Sequence, residues 1–253
     1  MLFEPSYVTC TYGAGGSTRS KTLEIVEQVH RIYGCPVASH LTCVGSTVDD
    51  LRGYLREATS RSIENIVALR GDPPQGETAF HACEGGLRYA NEMVELIHRE
   101  FPHFGIAVAG YPETHREATC PDSDLENLRR KVDAGADVVI TQLFYHNDDF
   151  FRFRERCQQV GITVPIVPGL LPVTNWSQVQ RIASLCGAKL PSDFAHALEA
   201  QGEDAEGQFA VGVEFAIRQV QSLLDAKIPG IHFYVLNKSP ATAAILRSVA
   251  LPR

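Results

Sequence analysis

Short apolar, β-rich runs alternate along the chain with longer stretches that carry apolar residues at helical spacing. The short runs predict seven strands, at residues 7–12, 37–43, 65–71, 106–112, 138–145, 164–171 and 231–237. The longer stretches predict crossover helices at residues 21–33, 48–61, 87–100, 124–134, 147–160 and 175–185, with a further long helical segment at 209–227. Because the strands are too apolar to have one face in water, we expect a parallel sheet covered by helices.

Polar side chains at the strand ends favour a closed barrel over an open sheet. Nearly every predicted strand carries them at its C-terminal end, namely Thr11 and Tyr12, His40, Arg70 and Asp72, Tyr111 and His115, Gln142, and Asn237 and Lys238. A barrel gathers all such ends around one mouth, whereas an open sheet collects only those near its switch point. We predict an α/β barrel that forms a single domain over residues 1–253, with a helical insertion at about 191–208.

The net charge limits the class of binding partner, and the cysteine usage indicates the redox compartment. The formal net charge of -7 argues against general affinity for nucleic acid or anionic membrane, so small-molecule partners are expected. The seven cysteines are an odd number without a C-x-x-C pair, which fits a reducing cytoplasm. The sequence contains no export signal and no apolar stretch of spanning length.

Three segments at predicted strand ends are candidate binding sites. The loop at residues 12–18 suits either an anion held by backbone N–H groups or a tight turn with a helix N-cap. Residues 70–72, Arg-Gly-Asp, end an apolar strand and are either a ligand site or a surface ion pair. Residues 111–115 place an aromatic ring, a carboxylate and an imidazole together, although a lone histidine in a loop is often only solvated or capping.

Further candidates lie on one predicted helix and at the end of the next strand. Asp124, Asn127, Arg130 and Lys131 recur at helical spacing, as in a ligand-facing row or a solvated face. Gln142 ends an apolar strand, where its amide needs a partner such as a heterocycle. The sequence has no Cys/His cluster and no H-E-x-x-H motif, so we expect no metal site.

Eight motifs in order resemble the methylenetetrahydrofolate reductase family along essentially the whole chain. They are T-Y-G-A-G-G, S-H-L-T-C, I-V-A-L-R-G-D-P-P, Y-P-E-T-H, L-R-R-K-V-D-A-G-A-D, I-T-Q-L-F-Y, P-G-L-L-P-V-T-N and H-F-Y-V-L-N-K. The resemblance implies a (β/α)8 TIM barrel, a flavoprotein with FAD at its C-terminal mouth. Such a fold agrees with the strand-end argument.

The resemblance also implies roles for individual residues. FAD contacts are expected at Tyr12, Ala14, His40, Arg70, Gly71, Asp72, Ala90, Tyr111, His115, Ala118, Asp124, Asn127, Arg130 and Lys131. Arg130 and Lys131 would meet the pyrophosphate, and Thr11 is similar to a nicotinamide contact. Folate contacts are expected at Gln142, Gln178 and Lys238.

The implied reaction is the reduction of 5,10-methylenetetrahydrofolate to 5-methyltetrahydrofolate, with FAD as cofactor and NADH or NADPH as electron donor. It belongs to one-carbon metabolism and methionine biosynthesis, and the family suggests a homo-oligomer. Asp72 would stabilise the cation left when the folate ring opens. Two alternatives stay open: another flavin- or phosphate-binding barrel enzyme, or a flavin- or folate-binding module without catalysis.

One departure from the family pattern concerns its first strand. Members begin with a strand resembling F-E-F-F-P-P, whose Glu is the expected proton donor, upstream of T-Y-G-A. Only ten residues precede Thr11 here. Glu4 lies about 20 Å from Thr11 along an extended chain, so it is not expected to be the acid. We expect a barrel that lacks its first strand and helix, begins at an internal Met1, and has unpaired edges at residues 7–12 and 231–237.

This expectation predicts that residues 1–253 bind FAD weakly and turn over little methylenetetrahydrofolate. Restoring the in-frame upstream coding sequence should rescue both, because it would supply the strand and the acid. Flavin titration and turnover of the two proteins measure the effect. Turnover by residues 1–253 that matches the extended protein would contradict the hypothesis.

Overall fold

The computed structural model describes residues 3–12, 19–73, 76 and 79–250, apart from the side chains of residues 19 and 20. The chain forms two compact units. Unit 1 comprises Met1–Ala109 and Asn127–Val139. Unit 2 comprises Gly110–Glu126 and Ile140–Arg253.

Unit 1 alternates strands with helices in the order that the sequence predicts. Its elements are β1 (Val8–Cys10), α1 (Arg19–Tyr33), β2 (Val37–Thr42), α2 (Val48–Ser60), β3 (Asn65–Leu69), α3 (Ala90–Glu100), most of β4 (Gly105–Gly110), the end of α4 (Pro121–Asp133) and the start of β5 (Val138–Thr141). The strands β1 to β4 pair in parallel, with Val8 opposite Val37 and Asn65 opposite Gly105.

Helix α2 shows how local sequence sets these elements. Thr47 accepts a hydrogen bond from the Asp50 N–H at 3.1 Å, and the Asp50 carboxylate accepts one from the Thr47 N–H at 2.9 Å. This reciprocal capping box begins the helix. Leu51, Leu55 and Ala58 then recur at helical spacing and are fully buried. Burying each leucine contributes about 1.5–3 kcal/mol, so this face holds the helix in place.

Unit 2 is mainly helical. It holds the first part of α4, the rest of β5, α5 (Asn147–Gln159), β6 (Ile166–Val167), β7 (Gly169–Leu170), α6 (Trp176–Cys186), α7 (Ser192–Glu199), α8 (Ala205–Asp225), β8 (His232–Phe233) and α9 (Pro240–Ser248). One apolar cluster includes Tyr145, Val173, Phe194 and Leu198. Within it the Phe194 ring stacks on Phe215 with centroids 3.9 Å apart.

The α/β class predicted from the sequence is confirmed. Strands β1 to β4 pair in parallel in chain order, and β7 pairs in parallel with β8 in a separate sheet. Every predicted strand run contains a strand, and each predicted helix forms within a few residues of its expected ends. Closure into a (β/α)8 barrel stays a prediction, as does the single domain with an insertion at 191–208, the range in which α7 lies.

Several predicted strands were too long, two of them for a reason that the backbone shows, and one helix was missed. Residues 164–171 form the two short strands β6 and β7, because Pro168 between them has no N–H to donate to a ladder. Residues 231–237 form only β8, because Leu236 and Asn237 take left-handed backbone angles, with φ of 49° and 61°. Helix α9 has no counterpart in the sequence prediction. Among the described helices, none is both long and apolar enough to cross a membrane.

We predict opposite effects from adding a methyl group at two helical glycines. A Cβ on the buried Gly212 of α8 would lie 1.8 Å from the Val173 carbonyl oxygen, whereas a Cβ on the exposed Gly53 of α2 would meet no atom of another residue within 4 Å beyond its own helix backbone. Gly212→Ala should lower the free energy of unfolding by about 1–3 kcal/mol through overpacking. Gly53→Ala should raise it by about 0.4–1 kcal/mol, because it restricts the unfolded chain. Urea unfolding measures both, and equal responses would contradict the packing described for α8.

Candidate functional site

In unit 1 the predicted site residues gather at the carboxyl ends of adjacent parallel strands. Thr11 and Tyr12 follow β1, His40 lies in β2 opposite Val67, and residues 70–72 follow β3. Because β1, β2 and β3 are neighbours in the same sheet, their carboxyl ends meet at one edge. The structure therefore brings together the unit 1 candidates that the sequence placed at strand ends.

The side chain of Tyr12 is fixed at this edge by the end of β2. Its hydroxyl accepts a hydrogen bond from the Thr42 N–H at 2.7 Å and lies 3.1 Å from the Thr42 hydroxyl. Its ring centroid is 6.5 Å from that of Tyr54. The half-buried Tyr12 ring is thus held by hydrogen bonds past the ladder of β1, while neighbouring Thr11 stays exposed.

Gly71 lets the Arg-Gly-Asp segment pack closely against the chain that leaves β2. The pairing continues past both strands, with the Cys43 N–H donating to the Leu69 carbonyl at 3.1 Å and the Val44 N–H donating to the Arg70 carbonyl at 3.0 Å. Gly71 has a φ of 89°, and a Cβ there would lie 2.7 Å from Val44 Cγ1. Any side chain at residue 71 would be strained and would clash, so glycine is required.

Arg70 and Asp72 extend from this segment into different surroundings. The Arg70 guanidinium lies 5.0 Å from the centroid of the Phe80 ring, and its Nε donates to the Gly71 carbonyl at 3.3 Å. Asp72 is exposed. Buried Cys43 is near this arginine, but burial, with a smaller effect of the nearby Glu92, raises the pKa of its thiol to about 12 despite the lowering effect of Arg70. Cys43 is therefore a neutral thiol near neutral pH and a poor nucleophile.

The part of α4 in unit 1 presents two neighbouring cationic side chains. Lys131 is half-buried, and its Nζ donates to the Ala109 carbonyl at 2.5 Å. Arg130 and Asn127 are exposed. The bond to Ala109 fixes the position of the Lys131 ammonium, which carries a full positive charge and N–H groups of the kind that bind anions. Two adjacent cations suit a pyrophosphate, and the donor chemistry here fits that part of FAD.

The other unit 1 candidates have simpler settings. Ala90 is the first residue of α3 and is half-buried. At the same helix start, the Glu92 carboxylate accepts a hydrogen bond from the Tyr89 N–H at 3.0 Å. Ala14 and the glycine loop at residues 13–18 lie outside the described residues, so the call of an anion loop stays a prediction. Within the described ranges, no group of three His, Cys, Asp or Glu side chains is arranged as a metal site.

In unit 2 the segment after β4 and the start of α4 bring four of the candidates together. The rings of Tyr111 and His115 meet edge to face, with centroids 4.6 Å apart at an interplanar angle of 79°. The His115 N–H donates to the Asp124 carboxylate at 2.9 Å, and the Ala118 N–H donates to the His115 carbonyl at 2.9 Å. His115 Nδ1 accepts from the Glu117 N–H at 3.2 Å, which leaves the proton of a neutral ring on Nε2.

Glu113 in the same segment is the site residue that sequence reasoning undervalued. Its Oε1 accepts from the Lys189 N–H at 2.9 Å. Its Oε2 and the Tyr145 hydroxyl are both buried and have no hydrogen-bond partner among the described residues. Burial raises the pKa of the Glu113 carboxyl and also that of Tyr145. The carboxylate in Y-P-E-T-H was visible in the sequence, but its burial beside Tyr145 depends on long-range packing.

The three expected folate contacts lie in unit 2. The Gln142 Oε1 accepts from the Leu143 N–H at 2.9 Å, so the amide that needed a partner finds one locally. Gln178 is half-buried in the first turn of α6. Lys238 is exposed and follows two consecutive residues with left-handed angles. Such strained backbone in non-glycine residues clusters at functional sites.

Two solved structures share the fold at low sequence identity. One is an uncharacterised Clostridium thermocellum protein described as binding two copies of 5-methyl-5,6,7,8-tetrahydrofolic acid, with a TM-score of 0.55, 15% identity, and coverage of 97% of this chain and 94% of its own. The other is 2,3-dimethylmalate lyase of the PEP mutase/isocitrate lyase superfamily, with a TM-score of 0.52, 10% identity, and coverage of 94% and 71%. At such low sequence identity, both comparisons support the α/β fold and nothing about function.

Sequence relatives are closer and agree with one another. The family described as methylenetetrahydrofolate reductase matches residues 1–250. "Methylenetetrahydrofolate reductase (NADH) 1" of Arabidopsis thaliana is 38% identical over 98% of this chain, which spans only 44% of that relative. "5,10-Methylenetetrahydrofolate reductase" of Escherichia coli (strain K12) is also 38% identical over 98% of this chain and 81% of its own length. These matches show that the chain belongs to the methylenetetrahydrofolate reductase family.

Proposed function

We propose that this protein reduces 5,10-methylenetetrahydrofolate to 5-methyltetrahydrofolate, with FAD as cofactor and NADH or NADPH as electron donor. It does so in a reducing, cytoplasmic compartment, as part of one-carbon metabolism and methionine biosynthesis. The observation that carries the proposal is the gathering of Tyr12, His40 and residues 70–72 at the carboxyl ends of adjacent parallel strands in a chain of this family.

The residues of unit 1 account for how FAD is held. Arg130 and the anchored Lys131 supply positive charge for the pyrophosphate, and the Arg70 guanidinium adds planar donors. Gly71 has no side chain, so a flat ligand can approach the backbone of its segment closely. Bound FAD supplies hydride transfer between the nicotinamide and the folate. The protein contributes binding and orientation, and excludes competing reactions.

Asp72 supplies the electrostatic part of the chemistry. Opening the imidazolidine ring of the substrate requires a proton at N10 and leaves a cationic iminium on the one-carbon unit. A carboxylate stabilises such a cation, and Asp72 is exposed next to the required glycine at residue 71. We assign protonation of N10 to no described residue, because exposed Glu4 precedes β1 and lies away from its carboxyl end.

In unit 2, three side chains suit the chemistry of a folate. The Gln142 and Gln178 amides carry both donors and acceptors for a heterocycle, and the exposed Lys238 ammonium suits a carboxylate. Tyr111, His115, Ala118 and Asp124 complete the proposed flavin contacts. We also propose that the protein is a homo-oligomer, as the family suggests.

We predict that Arg130→Ala raises the dissociation constant for FAD about tenfold, since it removes one charged hydrogen bond to phosphate. Arg99→Ala is the matched control, because Arg99 is an exposed arginine of the same unit that pairs with Glu100 and should leave FAD affinity unchanged. Quenching of flavin fluorescence measures both constants.

The same titration separates the proposed function from its alternatives. A purified protein without a flavin spectrum and without affinity for added FAD would overturn the proposal. FAD binding without reduction of the bound flavin by either nicotinamide donor, a step that needs no acid for the folate, would favour a binding module over a reductase. Equal losses in Arg130→Ala and Arg99→Ala would contradict the pyrophosphate assignment.

A further inference from the structure

The Tyr111–Ala118 segment of unit 2 is fastened at two points to the end of α6 and the residues that follow it. Glu113 Oε1 accepts from the Lys189 N–H at 2.9 Å. Arg116 Nη1 donates to the carbonyls of Ser184 and Leu185, at 3.1 and 3.0 Å. Carbonyls in the last turn of a helix carry partial negative charge, so the guanidinium both caps α6 and holds the segment.

The backbone beside Glu113 is strained. Thr114 has a φ of 77°, a left-handed angle that a β-branched residue rarely takes. Such a residue persists only where its surroundings over-determine it. The hydrogen bond from Lys189 to Glu113 on one side and the bond from the His115 N–H to Asp124 on the other hold Thr114 in this state. That turn gives the Tyr111 and His115 rings their edge-to-face contact.

Glu113 is in an unusual setting for a carboxyl that only makes a loop contact. Its Oε2 is buried and unpartnered among the described residues, as is the hydroxyl of Tyr145, which is 4% exposed. An unpaired, buried, ionised oxygen is costly, whereas a neutral carboxyl keeps the bond to Lys189 at lower cost. Glu113 therefore places a carboxyl where a negative charge is unfavourable. This setting points to a role for the shape of the side chain and for its acceptor oxygen.

We propose that Glu113 is a positioning residue, which holds Tyr111 and His115 in the arrangement that receives FAD. This inference rests on the proposed function for the identity of the ligand. The fastening of the segment itself stands on the hydrogen bonds of unit 2. Glu113 acts through the two aromatic side chains and touches no reacting atom in this account.

The charges around Glu113 give the proposal a pH dependence. Burial raises the pKa of Glu113 and Asp149 raises it further, while the bond from Lys189 and the charges of Lys189 and His146 lower it; buried Tyr145 faces it as well. A raised carboxyl pKa means that the native arrangement favours the neutral form. The neutral Glu113 carboxyl stabilises the folded protein fully below its ordinary pKa of 4.5, and this contribution is lost as the pH rises through the higher pKa of the folded state. FAD affinity should fall over that upper range in the wild type and stay flat in Glu113→Gln.

Three variants and a control test the proposal. Glu113→Gln keeps the acceptor oxygen without the charge, Glu113→Ala removes it, and Lys189→Pro removes the N–H donor from the other side. Below the pH at which Glu113 ionises, we expect FAD to bind Glu113→Gln within about twofold of the wild type and to bind the other two about tenfold more weakly, the effect of one lost buried hydrogen bond. Glu199→Gln, an exposed carboxyl on α7, should change nothing.

Amide hydrogen exchange at Lys189 and His115 is the second readout, and it needs no flavin. Exchange at the Lys189 amide should be slow in the wild type and in Glu113→Gln and faster in Glu113→Ala. Exchange at the His115 amide should change in the same direction. If Glu113→Ala does not fold, the comparison of Lys189→Pro with Glu113→Gln decides in the same way. The double variant Glu113→Ala, Lys189→Pro should bind FAD no worse than the weaker single variant.

The outcomes separate this inference from the proposed function. If the wild type binds FAD and Glu113→Ala binds it equally well, the inference fails while the function stands. If Glu113→Gln loses as much affinity as Glu113→Ala, a charge is required and the positioning account is wrong. If the wild type binds no FAD, the proposed function fails, and unchanged exchange at His115 in Glu113→Ala would overturn the positioning as well.

Discussion

Parallel pairing of β1, β2 and β3 is the constraint on which the candidate site of unit 1 depends. Parallel neighbours end at the same edge, so residues that are far apart in sequence, such as Tyr12 and Arg70, come to one place. The ladder between β2 and β3 continues past both strand ends to the Val44 N–H. That extension brings Gly71 so close to Val44 that no side chain fits, and it sets the direction in which Asp72 leaves the sheet.

Local patterns in the sequence predicted the elements and the strand-end residues, because hydrophobic periodicity and capping act over a few residues. The capping box of Thr47 and Asp50 and the apolar row of α2 are examples. Where the outcome depended on a missing N–H, as at Pro168, or on backbone angles, as at Leu236, the predicted strands were wrong in length. Neither residue changes the hydrophobic pattern enough to show where a strand stops.

Contacts between distant residues explain the rest of what the sequence did not reveal. The hydrogen bond that joins Tyr12 to Thr42 spans thirty positions, and the bond that joins Lys189 to Glu113 spans 76. A carboxylate in Y-P-E-T-H suggests chemistry, but only the fold shows that one of its oxygens is buried without a partner among the described residues. Family motifs predicted which residues contact ligands, whereas packing shows what holds those residues in place.

The central claim is that this chain holds FAD in a reductase of the methylenetetrahydrofolate reductase family. The most direct test is rapid mixing of the FAD-loaded protein with NADH or NADPH without oxygen, while the flavin absorbance is followed. The account predicts that one of the two donors bleaches the flavin and that 5,10-methylenetetrahydrofolate restores it more slowly in Asp72→Asn. Bleaching of the flavin by the nicotinamide is the first half of the reaction, and it needs no acid for the folate. A protein that binds FAD but is bleached by neither donor would contradict the account.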